Sequence, residues 1–111
     1  MILELNSYER FKLPFLFPQA SNLEEGIACN EMREIVQLTS EDRQEGLYET
    51  NTEGGVNFNK LNERKGFEFN LFQVRVLIAG VKQHDKAKTI QTDHHVVKLA
   101  QRILAVEEKL P

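Results

Sequence analysis

One apolar segment, FEFNLFQVRVLIAGVKQ at residues 67–83, dominates the hydropathy of this chain and belongs at the centre of any fold it adopts. Read as a helix, it carries Phe67, Leu71, Val74, Ile78 and Val81 on one stripe and Phe69, Phe72, Val76 and Ala79 on a second, with Glu68, Arg75 and Lys82 recurring every seven residues on the remaining face. Read as a strand, Phe72, Val74, Val76 and Ile78 alternate with polar neighbours, and β-branched residues are enriched. Seventeen residues suit a buried helix better than a strand, so a helix is expected. The strand alternative would pair residues 56–61 with 67–79 as a hairpin around NERKG.

The next segment is clearer. Val96, Leu99, Ala100, Ile103, Leu104 and Val106 repeat at three- and four-residue spacing, with Thr92 as the N-cap candidate and Asp93 in the first turn, predicting a helix over 92–109. With the preceding element it would form a helical hairpin across HDKAKTIQ. At the other end, ILEL (2–5) and FKLPFLF (11–17) are short, and Pro14 and Pro18 argue against a helix interior, so both read as β or extended. Between them and the centre, Ser21 with Glu24 has capping-box spacing and opens a helix towards Leu38, weakened by Gly26 by about 1 kcal/mol; the alternative for 32–38 is a strand with Met32, Val36 and Leu38 on one face. Thr39 and Ser40 cap a short helical turn that should end near Gly46, and the polar TNTEGGVN (50–57) is the candidate hinge.

These readings combine into an α+β fold. A short N-terminal β or extended segment precedes a predominantly helical remainder that ends in a C-terminal helical hairpin. At 111 residues a second core would leave each half too small, so a single domain over 1–111 is expected, and it needs no metal or disulfide to fold. No apolar run approaches the roughly 20 residues of a membrane span. The opening MILELNSYER lacks a signal-peptide layout, and Cys29 is the single cysteine, so a cytoplasmic location and no membrane partner are expected.

Charge is polarised along the chain. Residues 1–59 carry eleven acids against four bases, a net of −7, and residues 60–111 carry ten bases against six acids, a net of +4. Such asymmetry suits a charged partner or a second copy placed head to tail, unless the two halves compensate each other within one domain.

Catalytic constellations are sparse. His84, His94 and His95 lie within twelve residues beside Asp85 and Asp93, and imidazoles with carboxylates are the ligands of metal-dependent hydrolases. Asp93-His94-His95 resembles the triplet of the DHH phosphoesterases, and His84-Asp85 the pair of the HD phosphohydrolases. Each likeness covers three residues or fewer, without the further acidic motifs, and neither family is assigned. Acids around Cys29 oppose a reactive thiolate, and no phosphate-cradling or nucleophile-elbow motif occurs.

The expected function is therefore a small non-enzymatic protein-interaction or regulatory module of the accessory, assembly or inhibitor type, needing no cofactor, that binds a protein partner or itself. Its candidate contacts are Phe15, Leu16 and Phe17 on an N-terminal arm, the acids Glu41, Asp42, Glu45 and Glu49, and the apolar face of Phe69, Phe72 and Val76. The first alternative is nucleic-acid binding through Lys82, Lys86, Lys88, Lys98 and Arg102, opposed by a pI near 5.6 and no tryptophan. The second is a metal-dependent hydrolase at His84, Asp93 and His95.

Overall fold

The computed structural model describes residues 1–111. In chain order it contains β1 (Ile2–Leu5), α1 (Ser7–Lys12) and a 3-10 turn (Leu13–Leu16), then α2 (Leu23–Val36) and α3 (Ser40–Gln44). Strands β2 (Tyr48–Thr50), β3 (Val56–Phe58) and β4 (Lys65–Glu68) follow, then α4 (Leu71–Ala87), α5 (His94–Val106) and a closing 3-10 turn (Glu107–Lys109). The fold is α+β, with a C-terminal pair of helices as expected.

The long apolar segment divides at Asn70. Its side chain accepts the Gln73 amide at 2.8 Å while Gln73 Oε1 accepts the Asn70 amide at 2.9 Å, a reciprocal cap that starts α4 and stops β4. Phe67 and Glu68 thus belong to a strand, and the helix proper runs from Leu71. The hairpin of 56–61 with 67–79 does not form. Instead β4 pairs antiparallel with β1, Leu3 opposite Phe67, and Val56–Phe58 pairs with Tyr48–Thr50. The 50–57 stretch spans the turn of this second hairpin, where Gly54 takes a φ of +84° that favours glycine.

The extended reading of 11–17 is overturned. Asn6 and Glu9 form a second reciprocal cap, with the Glu9 amide on Asn6 Oδ1 at 2.8 Å and the Asn6 amide on Glu9 Oε1 at 2.9 Å, so the chain enters a helix at Ser7. Pro14 sits in the first turn of the 3-10 segment, where its missing N–H forfeits no bond. Two other caps shift by one residue: Asn22 rather than Ser21 opens α2, and Asp93 rather than Thr92 opens α5. Thr39 caps α3 as expected, and Gly46 at φ +80° turns the chain out of it.

Helix α4 is the hub. Val74, Val76, Leu77, Ile78 and Val81 are buried against Met32 and Val36 of α2, Leu99 and Ile103 of α5, and Leu13, Leu16 and Phe17 from the N-terminal turn. That turn crosses α4 at Gly80, where an added Cβ would stand 2.3 Å from the Leu16 carbonyl oxygen and 2.7 Å from Pro18. Only glycine permits this close approach.

Candidate functional site

Burial sorts the expected contact residues first. Leu16, Phe17, Phe69 and Val76 are sealed in the core, so they are corrected from surface to packing residues, and the N-terminal arm does not exist as such. Helical winding of 7–16 is the cause, because it turns Leu13 and Leu16 inward and leaves Phe11 and Phe15 outside. Asp42 is also buried. One Asp42 oxygen accepts Arg10 Nη2 at 2.8 Å together with the amide and hydroxyl of Thr39, while Arg10 also donates to the carbonyls of Val36 and Gln37. Burial by itself would raise the Asp42 carboxyl, but Arg10 and Thr39 outweigh it and hold it well below the usual carboxylate range. Glu41, Glu45 and Glu49 are exposed, with Glu45 paired to Lys65 at 2.8 Å.

The basic set is partly spent inside the fold. Arg102 binds the buried carboxylate of Glu9, which also pairs with Arg64 at 3.1 Å, and it reaches the Glu4 carbonyl. Lys82 pairs with Glu107 at 2.6 Å, while Lys86, Lys88 and Lys98 stand exposed. The charge blocks therefore compensate in part through Arg64–Glu9, Arg102–Glu9 and Lys65–Glu45.

Two apolar surfaces remain uncovered. The first is a ridge of aromatic rings running Phe15–Phe11–Phe58–Tyr8–His95–His94. Successive centroids are 6.2, 5.1, 5.2, 5.3 and 5.7 Å apart, mostly tilted or edge to face. Phe15 is 50% exposed and Phe11 44%, and Lys12 Nζ lies 5.0–5.7 Å from the rings of Tyr8, Phe11 and Phe15. Helix α1 and the 3-10 turn supply Tyr8, Phe11 and Phe15, strand β3 supplies Phe58, and the start of α5 supplies the histidines. Of this ridge only Phe15 was a sequence candidate for partner binding. Tyr8, Phe11 and Phe15 stand three and four residues apart, a helical spacing that the extended reading concealed.

The second surface is a groove of about 360 Å³ between α2 and α4, floored by Ile27, Ala28 and Phe72 and rimmed by Glu24 and Glu31. Leu23, 79% exposed, and Leu71 lie on the same two helices. Close by, Glu25 accepts the amide and hydroxyl of Ser21 at 3.0 and 2.9 Å, which lowers its carboxyl and keeps it charged.

The histidines do not assemble. His84 sits with its ring nitrogens 2.7 Å from Thr89 Oγ1 and 2.8 Å from the Phe17 carbonyl oxygen, tying the end of α4 to the N-terminal turn. Asp93 accepts the Tyr8 hydroxyl and the His95 amide, and no three His, Cys, Asp or Glu side chains gather in a metal-binding group. The Tyr8 phenol is pushed up to about 12, first by its hydrogen bond to Asp93, and Asp93 is lowered by the same bond. Burial pushes the Cys29 thiol up, with Glu25 adding to it against Arg33, which disfavours a thiolate. No helix is long and apolar enough to cross a membrane.

No family model matches the chain, and neither does any curated protein or solved structure.

Proposed function

We propose that this protein is a small non-enzymatic interaction module, of the accessory, assembly or inhibitor kind, that docks a protein partner through the Phe15–Phe11–Phe58 ridge. The observation that carries this reading is that the fold seals Phe17 and Phe69 in its core yet leaves Phe11 and Phe15 exposed in a row of rings that continues to the half-buried Phe58. Burying a half-exposed phenylalanine against a partner is favourable by roughly 25 cal/mol per Å² of apolar surface covered. Aromatic anchors of this kind dominate interface energetics. Lys12 at the ridge selects a partner with an apolar concavity and carboxylates at its edge. A cytoplasmic setting accords with one reduced thiol, Cys29, held in the core.

The test is capture from a lysate of the source cell by the tagged protein and by the variant Phe11→Ser/Phe15→Ser, each with and without nuclease. The proposal expects a protein partner that survives nuclease and is lost with the variant. Capture that disappears with nuclease would instead favour nucleic-acid binding through Lys86, Lys88 and Lys98.

A further inference from the structure

The ridge and the groove carry opposite charges, a lysine on one and two glutamates at the edge of the other. The ridge exposes Phe11 and Phe15 and carries Lys12, whose ammonium also donates to Gln91 Oε1 at 3.2 Å but has no carboxylate partner within the molecule, while the carboxylate of Asp93 beside it is engaged by Tyr8 and His95. The groove is concave, exposes Ile27 and Phe72 on its floor, and presents Glu24 and Glu31 at its edge. The two surfaces lie on different elements, so one molecule offers both. Ridge against ridge would bring two Lys12 ammonium groups together, and groove against groove would oppose two acidic rims. Like-charge contacts of this sort act against symmetric pairing.

We infer that the ridge of one molecule docks in the α2–α4 groove of the next, Phe15 against Ile27 and Phe72 and Lys12 beside Glu24 and Glu31, so that identical chains associate head to tail. This rests on the proposed role of the ridge and names its partner as a second copy of the chain. The contact is heterologous: each docked molecule still has one ridge or groove free, so association continues into open chains or closes as a ring. Added salt weakens it, because the Lys12–glutamate attraction is at the surface.

Sedimentation of the full chain over a concentration series at low salt tests the inference, with two variants whose altered side chains are exposed and whose folding is checked by circular dichroism. Phe11→Ser/Phe15→Ser removes the ridge and keeps the groove, and Ile27→Asp/Phe72→Ser does the reverse. The unaltered chain is expected to grow in mass beyond a dimer as concentration rises, and each variant alone to stay monomeric. An equal mixture of the variants should stop at a complex of one copy of each, since each contributes the one surface the other lacks. Lys12→Glu should abolish association with the unaltered groove, and Glu24→Lys/Glu31→Lys in the other molecule should restore it. An unaltered chain that stays monomeric throughout, or a ridge variant that still self-associates, would overturn the inference. A monomer that nevertheless captures a different protein through its ridge would leave the proposed function standing, whereas a monomer that captures nothing would remove both.

Discussion

Arg10 and Asp42 show how individual charges are used in this molecule. Both are buried: Arg10 bonds Asp42 and the carbonyls of Val36 and Gln37, while Asp42 also accepts from Thr39 and lies 3.6 Å from the Lys65 ammonium. Removing Arg10 leaves the buried Asp42 carboxylate with only the more distant, partly exposed Lys65 as a counter-charge, so Arg10→Ala should cost about 3 kcal/mol, the low end for a broken buried pair, in denaturant unfolding. The folded carboxyl of Asp42 lies below its ordinary value of 3.8, so its contribution is present above that pH and is lost as pH falls beneath it. Asp42→Asn should therefore be less stable than the parent at neutral pH and lose less on acidification. At the alkaline end the sign reverses. Tyr8 is raised from 10.0 to about 12, so the unfolded chain gives up this proton first and stability falls as pH climbs between those values. An absorbance titration should show one phenol ionising late, and Asp93→Asn should return it towards 10.0. None of these pairings was legible in the sequence: Asp42 reads there as one member of an acidic run, and its partner lies 32 positions away.

At the scale of elements, much was readable. The apolar periodicities of α4 and α5, the Thr39 cap and the turn at Gly46 all follow from local pattern. The N-terminal helix is the element that departs from the extended expectation. Its signal is Asn6 followed by Glu9, the same spacing as Asn70 and Gln73, whereas the prolines at 14 and 18 mark only where a helix cannot run and not where one starts. The consequence reached the candidate site, since an extended 11–17 hides the alignment of Tyr8, Phe11 and Phe15. Asn70→Ala should lower stability by about 1 kcal/mol by removing the cap that separates β4 from α4. Gly80→Ala should cost more, about 1–3 kcal/mol, because the Leu16 carbonyl is backbone and cannot swing away from the new methyl group. Thermal unfolding of the two variants should rank them in that order.

Across the whole molecule, the polarised charge of the sequence resolves into internal pairing at Glu9 and Asp42 and into two uncovered surfaces, one carrying Lys12 and one rimmed by glutamates. The sequence suggested that charge and apolar surface would act together, but it placed Phe17 and Phe69 outside, where long-range packing against α4 and α5 draws them in. The ridge depends on three segments distant in sequence meeting at one surface, which no local pattern announces. Its role as a contact surface is tested most directly by a photoreactive phenylalanine analogue at position 15, with the same analogue at the exposed loop position Glu53 as the control. Irradiation in lysate should link a protein to position 15 and leave the position-53 control unlinked. Equal labelling at the two positions, or linkage at position 15 to nucleic acid alone, would contradict the assignment of the ridge as a protein-docking surface.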